Sequence, residues 1–366
     1  MPQKQLQLIN GEATEASPNV TEITDPDLLK QLEQLQNLSP KLRKMSESRL
    51  IGMQEQRNAT AEKRAEMTPV ERRRDIVKET RIENPIEQDD IRYVHSVLAL
   101  CALPYRKPPD DLNIYTRSYG HMSLSVQAGV LGNPETGEAV RQGLPYGPKA
   151  RLLHYHICSL ALYQKSPEIE LEDSLSAFIR SMGFDIGGGK KGSFNAFKEQ
   201  LNRLAASRNQ MVLWNGDRAK TINTNPISEF DVWLPPNPDQ KMLWNSRITL
   251  SLDFYESLKK HALPVDYRVV SALSHSAKQM DILSWLSYRL RSLRKPYFLT
   301  WDVIKDQFCQ SNTQRMDHFQ NYLKEDFADI EEIFDKALPL KLSDKGITLL
   351  PCDPSDYFVP PKKPIR

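Results

Sequence analysis

Along residues 143–234 the period of the apolar positions changes several times, and each change predicts an element. Leu153, Ile157, Leu160 and Ala161 recur at helical spacing after Pro145 and Pro148 and predict a helix. A short strand over 169–171 follows. Leu175, Phe178, Ile179 and Met182 mark a second helix, which Gly183 is placed to end. The run GGGKKGS then opens a third helix near Ser193, with Phe194, Phe197, Leu201 and Leu204 inward and Asn195, Lys198, Asn202 and Arg203 outward. A basic hairpin closes the segment. Helix, strand, helix, turn, basic helix, hairpin is the order of a winged helix, whose last helix enters the major groove of DNA.

A similar order recurs later. Met280, Leu283, Leu286 and Leu290 mark a helix, and 297–299 a short strand. A helix capped by Thr300 buries Trp301, Ile304 and Phe308. A longer helix buries Met316, Phe319, Leu323, Phe327 and Ile330, and a hairpin over 340–350 turns at Asp344-Lys345-Gly346. Between the two sets, three prolines within 235–239 read as a linker, with a strand over 247–252 and a helix through Lys260. Ahead of the first set, Ile91, Val94, Leu98 and Cys101 share one helical face that Asp89 or Asp90 would cap, and Pro104 stops it. Strands over 114–118 and 122–126 and a turn over 132–137 come next, backing the first unit and offering a dimer contact. Residues 1–85 are polar and rich in mixed charge, with amphipathic stretches around Leu28, Leu32 and Leu35 and over 70–77; they read as a flexible arm. The expected architecture is α+β: that arm, a first winged helix over 86–236 that carries the main DNA contact, a second over 237–352, and a tail over 353–366.

Composition changes this picture little. A chain of 366 residues, 39% hydrophobic, suffices for two compact domains. A net charge of +2 does not by itself mark a nucleic-acid binder. The local balance does more, because residues 186–220 hold seven basic side chains (Lys190, Lys191, Lys198, Arg203, Arg208, Arg218, Lys220) against Glu199 and Asp217. The four cysteines form no CxxC pair, so neither a disulfide framework nor a structural zinc site is indicated, and no cofactor is. No apolar run approaches the roughly 20 residues that span a bilayer. The expectation is a cytoplasmic protein without a membrane partner.

Two motifs pull toward other chemistry. Gly187, Gly189 and Gly192 fit G-x-G-x-x-G, but a dinucleotide fingerprint follows a buried strand, and here a helix precedes it. The P-loop pattern fails because Lys191, not Ser or Thr, follows Lys190. The turn reads instead as a phosphate contact, with Lys190, Lys191, Ser193 and the free N–H groups of the next helix facing DNA. His154-Tyr155-His156, with a tyrosine on a later helix, resembles the metal and nucleophile set of rolling-circle nickases. That chemistry needs both histidines on one face of a strand, whereas in a helix residues two apart diverge by roughly 200°, leaving one packed and one exposed. No catalytic or metal-binding residue is therefore assigned. On the third helix, asparagine suits adenine, arginine suits guanine, and lysine and serine hold phosphates. In the second unit, Gln314 and Arg315 at a helix start, with His318 and Asn321, offer a lesser contact that Arg294 and Lys295 support; six acids between Glu325 and Asp335 would repel phosphate there.

The runs GLPYGPKARLL, SLSAFIRSMGF and GGGKKGSFNAFKEQLNRLAAS resemble the plasmid-encoded RepA family of replication initiators; LPYRKP near Leu103, the Trp301 helix and KGITLLP fit it too. The likeness runs over about 90–351. It implies a protein that binds repeated sites in double-stranded plasmid origin DNA, opens the duplex with a host initiator and recruits the replicative helicase, with a homodimer as one form. A repressor without initiator activity, a His154/His156 nickase and a scaffold whose basic face is only surface are the alternatives.

Overall fold

The computed structural model describes residues 22–37, 39–133, 136–172, 174–184, 192–214, 216–231, 247–310 and 314–359. The proline-rich linker expected at 235–239 lies outside them. The chain divides into two units, Met1–Arg72 and Arg73–Arg366.

In the first unit, Pro26 opens α1 (Pro26–Gln34), and the Asp25 carboxylate caps it by accepting from the backbone N–H of Asp27 and Leu28 at 2.9 and 3.3 Å. The long α2 (Pro40–Glu66) has few apolar positions, and Leu50 and Gln54 are its buried residues. The Gln54 amide oxygen accepts from the N–H groups of Thr24 and Asp25, tying α2 to the cap of α1. The division into units falls within α3 (Pro69–Glu83).

The second unit begins with a difference from the sequence reading. The helix expected from Ile91 is a strand, β1 (Ile91–His95), followed by the short α4 (Ser96–Leu100). The His95 ring explains the switch: its Nδ1 accepts from the Val97 N–H at 3.2 Å, capping a helix that can only start after it. The partner of β1 lies some 170 residues later in the sequence, beyond the reach of local periodicity. Strands β2 (Ile114–Tyr119) and β3 (Met122–Gln127) fall where expected, and a small hairpin, β4 (Val130–Gly132) with β5 (Ala139–Arg141), flanks the expected turn.

Next come α5 (Gly147–Tyr163), β6 (Glu168–Glu170), α6 (Leu175–Ser181), α7 (Ser193–Ala206), β7 (Arg208–Trp214) and β8 (Ala219–Thr224), then β9 (Ile227–Asp231) and β10 (Arg247–Leu250). The hairpin β7–β8 is not a free-standing wing. Its β7 edge pairs with β3, giving one antiparallel sheet in the order β2-β3-β7-β8. Nor does β6 join that sheet; it pairs with β10 in the sheet β6-β10-β9.

The chain continues through α8 (Leu252–His261), β11 (Ala262–Asp266), α9 (Tyr267–Ala272), α10 (Ala277–Leu290), β12 (Tyr297–Thr300), α11 (Trp301–Phe308), α12 (Met316–Phe334), β13 (Leu340–Ser343) and β14 (Gly346–Leu349). The last strands form the sheet β12-β14-β13, and the Thr300 hydroxyl caps α11 as expected. The expected division at 236/237 falls between strands that pair with each other, since β1 lies on β11 and β6 and β9 lie on β10. Buried apolar residues from both sides of that point form one core. Within it, Arg151 of α5 meets Asp281 of α10 through two 2.7 Å bonds. Part of the expected tail is packed as well, because Tyr357, Phe358 and Val359 are buried and Tyr357 meets Phe334 edge-on.

Candidate nucleic-acid interface

The Ser174 hydroxyl caps α6 by accepting from the Ala177 N–H at 3.1 Å. The helix ends at Gly183, whose φ of +81° is the left-handed conformation that terminates helices. Lys190 and Lys191 lie outside the described residues. Past them, α7 starts at Ser193, of which only the backbone is described, with Gly192 at the cap position. Phe194, Phe197, Leu201 and Leu204 are buried as their spacing requires, and Phe184 packs on Phe197 with ring centroids 5.5 Å apart.

The opposite face of α7 is narrower than the sequence implied. Asn195 is exposed, Lys198 and Asn202 are half-buried, and Glu199 shares the stripe. Arg203, expected to project with Asn202, is turned inward instead. Its guanidinium donates to the Leu144 carbonyl at 2.9 Å, pairs with Glu199 at 2.8 Å and lies over the Tyr146 ring. A Cβ at Gly143 would fall 2.3 Å from that guanidinium, so the backbone at 143 is shaped around it. The reason is geometric: position 203 sits at the margin of the apolar stripe, where a long side chain reaches the carbonyl groups before α5. Gln200 anchors the same segment from the acceptor side, its amide oxygen accepting from the Tyr146 N–H at 2.8 Å. Sequence reasoning missed both as anchors, although a GLPYG run ahead of a helix signals free carbonyls in need of donors.

Arg208 is exposed two residues past the end of α7, and Arg218 and Lys220 are exposed at the far end of the β7–β8 hairpin. The six steps of β7 separate these ends by about 20 Å. The basic residues of 192–220 thus line a strip along α7 and the hairpin, with Arg203 removed from it.

In the later half, Arg294 and Lys295 are exposed in the segment between α10 and β12. Arg315 precedes α12, exposed but paired with Asp317 at 2.8 Å. Gln314 is half-buried, and its amide oxygen faces the Cys309 thiol at 3.2 Å. The acids of α12, expected to repel phosphate, are mostly engaged by cations. Asp329 holds Arg74 through two 2.7 Å bonds, Asp326 holds Lys278 at 2.6 Å, and Asp335 holds Lys78 at 2.7 Å. Basic side chains of α3 and α10 thus pair with four of the six acids, Arg74 reaching Glu332 as well at 3.6 Å, pairings that sequence separation hid.

His154 and His156 differ from the reading in which one is packed and one exposed. Both are buried in α5, and burial holds their imidazoles neutral, down to about 4 and about 3. His156 stacks edge-on against Phe178, with its Nε2 3.3 Å from the Ser181 hydroxyl. No group of three or more metal-ligating side chains gathers among the described residues. No helix there is long and apolar enough to cross a membrane.

Residues 144–303 match the family model of the plasmid encoded RepA protein. No curated protein matches the sequence. Among solved structures, a crystal structure of domains 2 and 3 of RctB aligns with a TM-score of 0.41 at 9% identity, covering 65% of this chain and 85% of that one. The matched segment runs from the start of α5 into α11 and holds α6, α7 and the β7–β8 hairpin. Over residues 144–303, under half of its length, the chain is similar to the plasmid-encoded RepA family.

Proposed function

We propose that the protein is a non-enzymatic, sequence-specific DNA-binding initiator of plasmid replication. It binds repeated sites in double-stranded origin DNA, promotes duplex opening and recruits a host initiator and the replicative helicase in the cytoplasm, with a homodimer as one of its forms. The observation that carries this reading is that the RepA match covers a short helix, an amphipathic helix and a basic hairpin in sequence order.

In this reading α7 is the recognition helix of a winged helix and β7–β8 its wing. Asn195 and Asn202 read base edges, where asparagine pairs bidentately with adenine. Lys190, Lys191, Ser193, Lys198, Arg208 and Arg218 hold phosphates. The helices α10 to α12 with the sheet β12-β14-β13 make a second winged helix, whose Arg294, Lys295, Gln314 and Arg315 touch DNA lightly. The buried, neutral state of His154 and His156 supports a role without strand cleavage.

Footprinting on the plasmid that encodes the chain tests the proposal. Protection of repeated sites is the expected result, and the absence of any protected repeat at low salt contradicts it. Relaxation of supercoiled plasmid with magnesium or manganese, lost on replacing His154 or His156, would overturn the non-enzymatic part.

A further inference from the structure

The outward face of the sheet β2-β3-β7-β8 is mostly polar, with Ile114 and Val212 its branched aliphatic members. Alternation sends Val126, Leu124, Met211 and Ile222 into the core, and the residues between them to the surface. The register lines up Thr116, Ser125, Gln210 and Asn223 in one row across all four strands. The neighbouring row brings Gln127 against Arg208, and Trp214 closes the face beside His121, edge to face at 5.9 Å. None of the strand residues on this face is acidic. A basin of about 610 Å³ opens over the Gln127, Arg208 and Gln210 end of it.

These side chains are joined into pairs that leave further groups to offer. The Thr116 and Ser125 hydroxyls are 2.9 Å apart, and the Gln210 amide donates to the Asn223 oxygen at 2.8 Å. That bond holds the two exposed amides in place while the Gln210 oxygen and the Asn223 NH2 group point on to solvent. A fixed acceptor beside a fixed donor suits the edge of a nucleobase, and an arginine without a neighbouring acid suits a phosphate.

The geometry points to this face as a binding site for single-stranded DNA, which shares Arg208 with the α7 strip and otherwise lies on the sheet rather than on the helix. Width decides between one strand and two. At about 4.8 Å per strand, the outer strands are about 14 Å apart before side chains are added, and the B-DNA major groove is about 12 Å wide, room for a helix or a two-stranded ribbon. An unpaired strand has no such limit: it can lie across a sheet, splay its bases toward amides and stack on an aromatic side chain such as Trp214. The inference rests on the initiator reading only for the source of that strand, an opened origin.

The test uses the full chain and fluorescein-labelled oligonucleotides of about 20 nucleotides, one single-stranded, one a duplex of the plasmid's repeat. The variant is Gln210→Glu with Asn223→Asp, both exposed and isosteric, checked for an unchanged circular dichroism spectrum. It should bind the single strand about tenfold more weakly while its affinity for the repeat duplex stays within about twofold of the parent. No single-strand binding by the parent at low salt, unchanged binding by the variant, or equal losses on both ligands would overturn the assignment. So would a change in sedimentation without a change in single-strand affinity, which gives the face to a second copy of the chain. A parent that binds the single strand and no repeat duplex sinks the initiator reading and leaves this site standing.

Discussion

Replacing Arg151 by Met should be among the most destabilising single changes in the second unit. Arg151 and Asp281 are each 5% exposed, and their two 2.7 Å bonds join α5 to α10. Removing the guanidinium strands a carboxylate inside the core, which typically costs about 3–5 kcal/mol against a total folding stability of roughly 5–15 kcal/mol. The arginine also donates to the carbonyls of Leu103 and Gly147 at 2.7 and 2.9 Å, so each loses one donor, Leu103 keeping the Gln310 amide at 2.9 Å. In thermal unfolding the loss corresponds to roughly 10 °C. The double change Arg151→Met with Asp281→Leu removes both charges and leaves no unpaired ion, so it should return close to the parent. Urea unfolding of the parent, both single variants and the double variant gives the coupling directly. A cost under about 1 kcal/mol for Arg151→Met, or a double variant as unstable as the sum of the singles, would refute the idea that this pair ties the two halves into one core.

Other outcomes follow from the same packing. Phe197→Ala should cost roughly 3–5 kcal/mol and weaken DNA binding in parallel with thermal stability; melting at the parent temperature would mean α7 is not docked as described. Arg203→Ala should cost about 1.5–3 kcal/mol through its lost bonds to Leu144 and Glu199, whereas Asn202→Ala should stay within about 0.5 kcal/mol; equal melts for the two would place Arg203 outside. Lys198→Ala, Arg208→Ala and Arg218→Ala should each lower the log–log salt slope of DNA binding by about one. His95, His154 and His156 are depressed to about 3, about 4 and about 3, below the roughly 6.5 of the unfolded chain. The unfolded state therefore binds more protons between those values, so stability is full above about pH 6.5 and falls as pH drops. Potentiometric unfolding near pH 5 should show uptake by all three; no uptake would mean the rings are charged in the fold.

Local patterns carried most of the elements into view and few of their pairings. The apolar spacing of α5, α6, α7, α10, α11 and α12 marks each helix, although only some bury a single stripe of period near 3.6; α5 and α10 are buried nearly all round. Ile91–His95 misled for the opposite reason: five residues fit either period, and a strand 170 positions away decides between them. The same long-range pairing puts β6 on β10 rather than on the hairpin and joins strands from either side of 236/237. At the site, Asn195, Lys198 and Asn202 were legible as the polar side of an amphipathic helix. Arg203 was not, since a margin position is settled by what lies opposite, here the carbonyl of Leu144. The α12 acids likewise needed their α3 partners before their charge could be weighed.

The central claim is that the outward side of α7 reads bases. Affinities of the parent, Asn195→Ala and Asn202→Ala for the plasmid's repeat and for a scrambled duplex, at one fixed salt concentration, test it most directly. The account predicts losses of about 1–3 kcal/mol on the repeat for each variant and little change on scrambled DNA, so that the specificity ratio collapses while stability holds. Equal losses on both duplexes, or none on either, would contradict it.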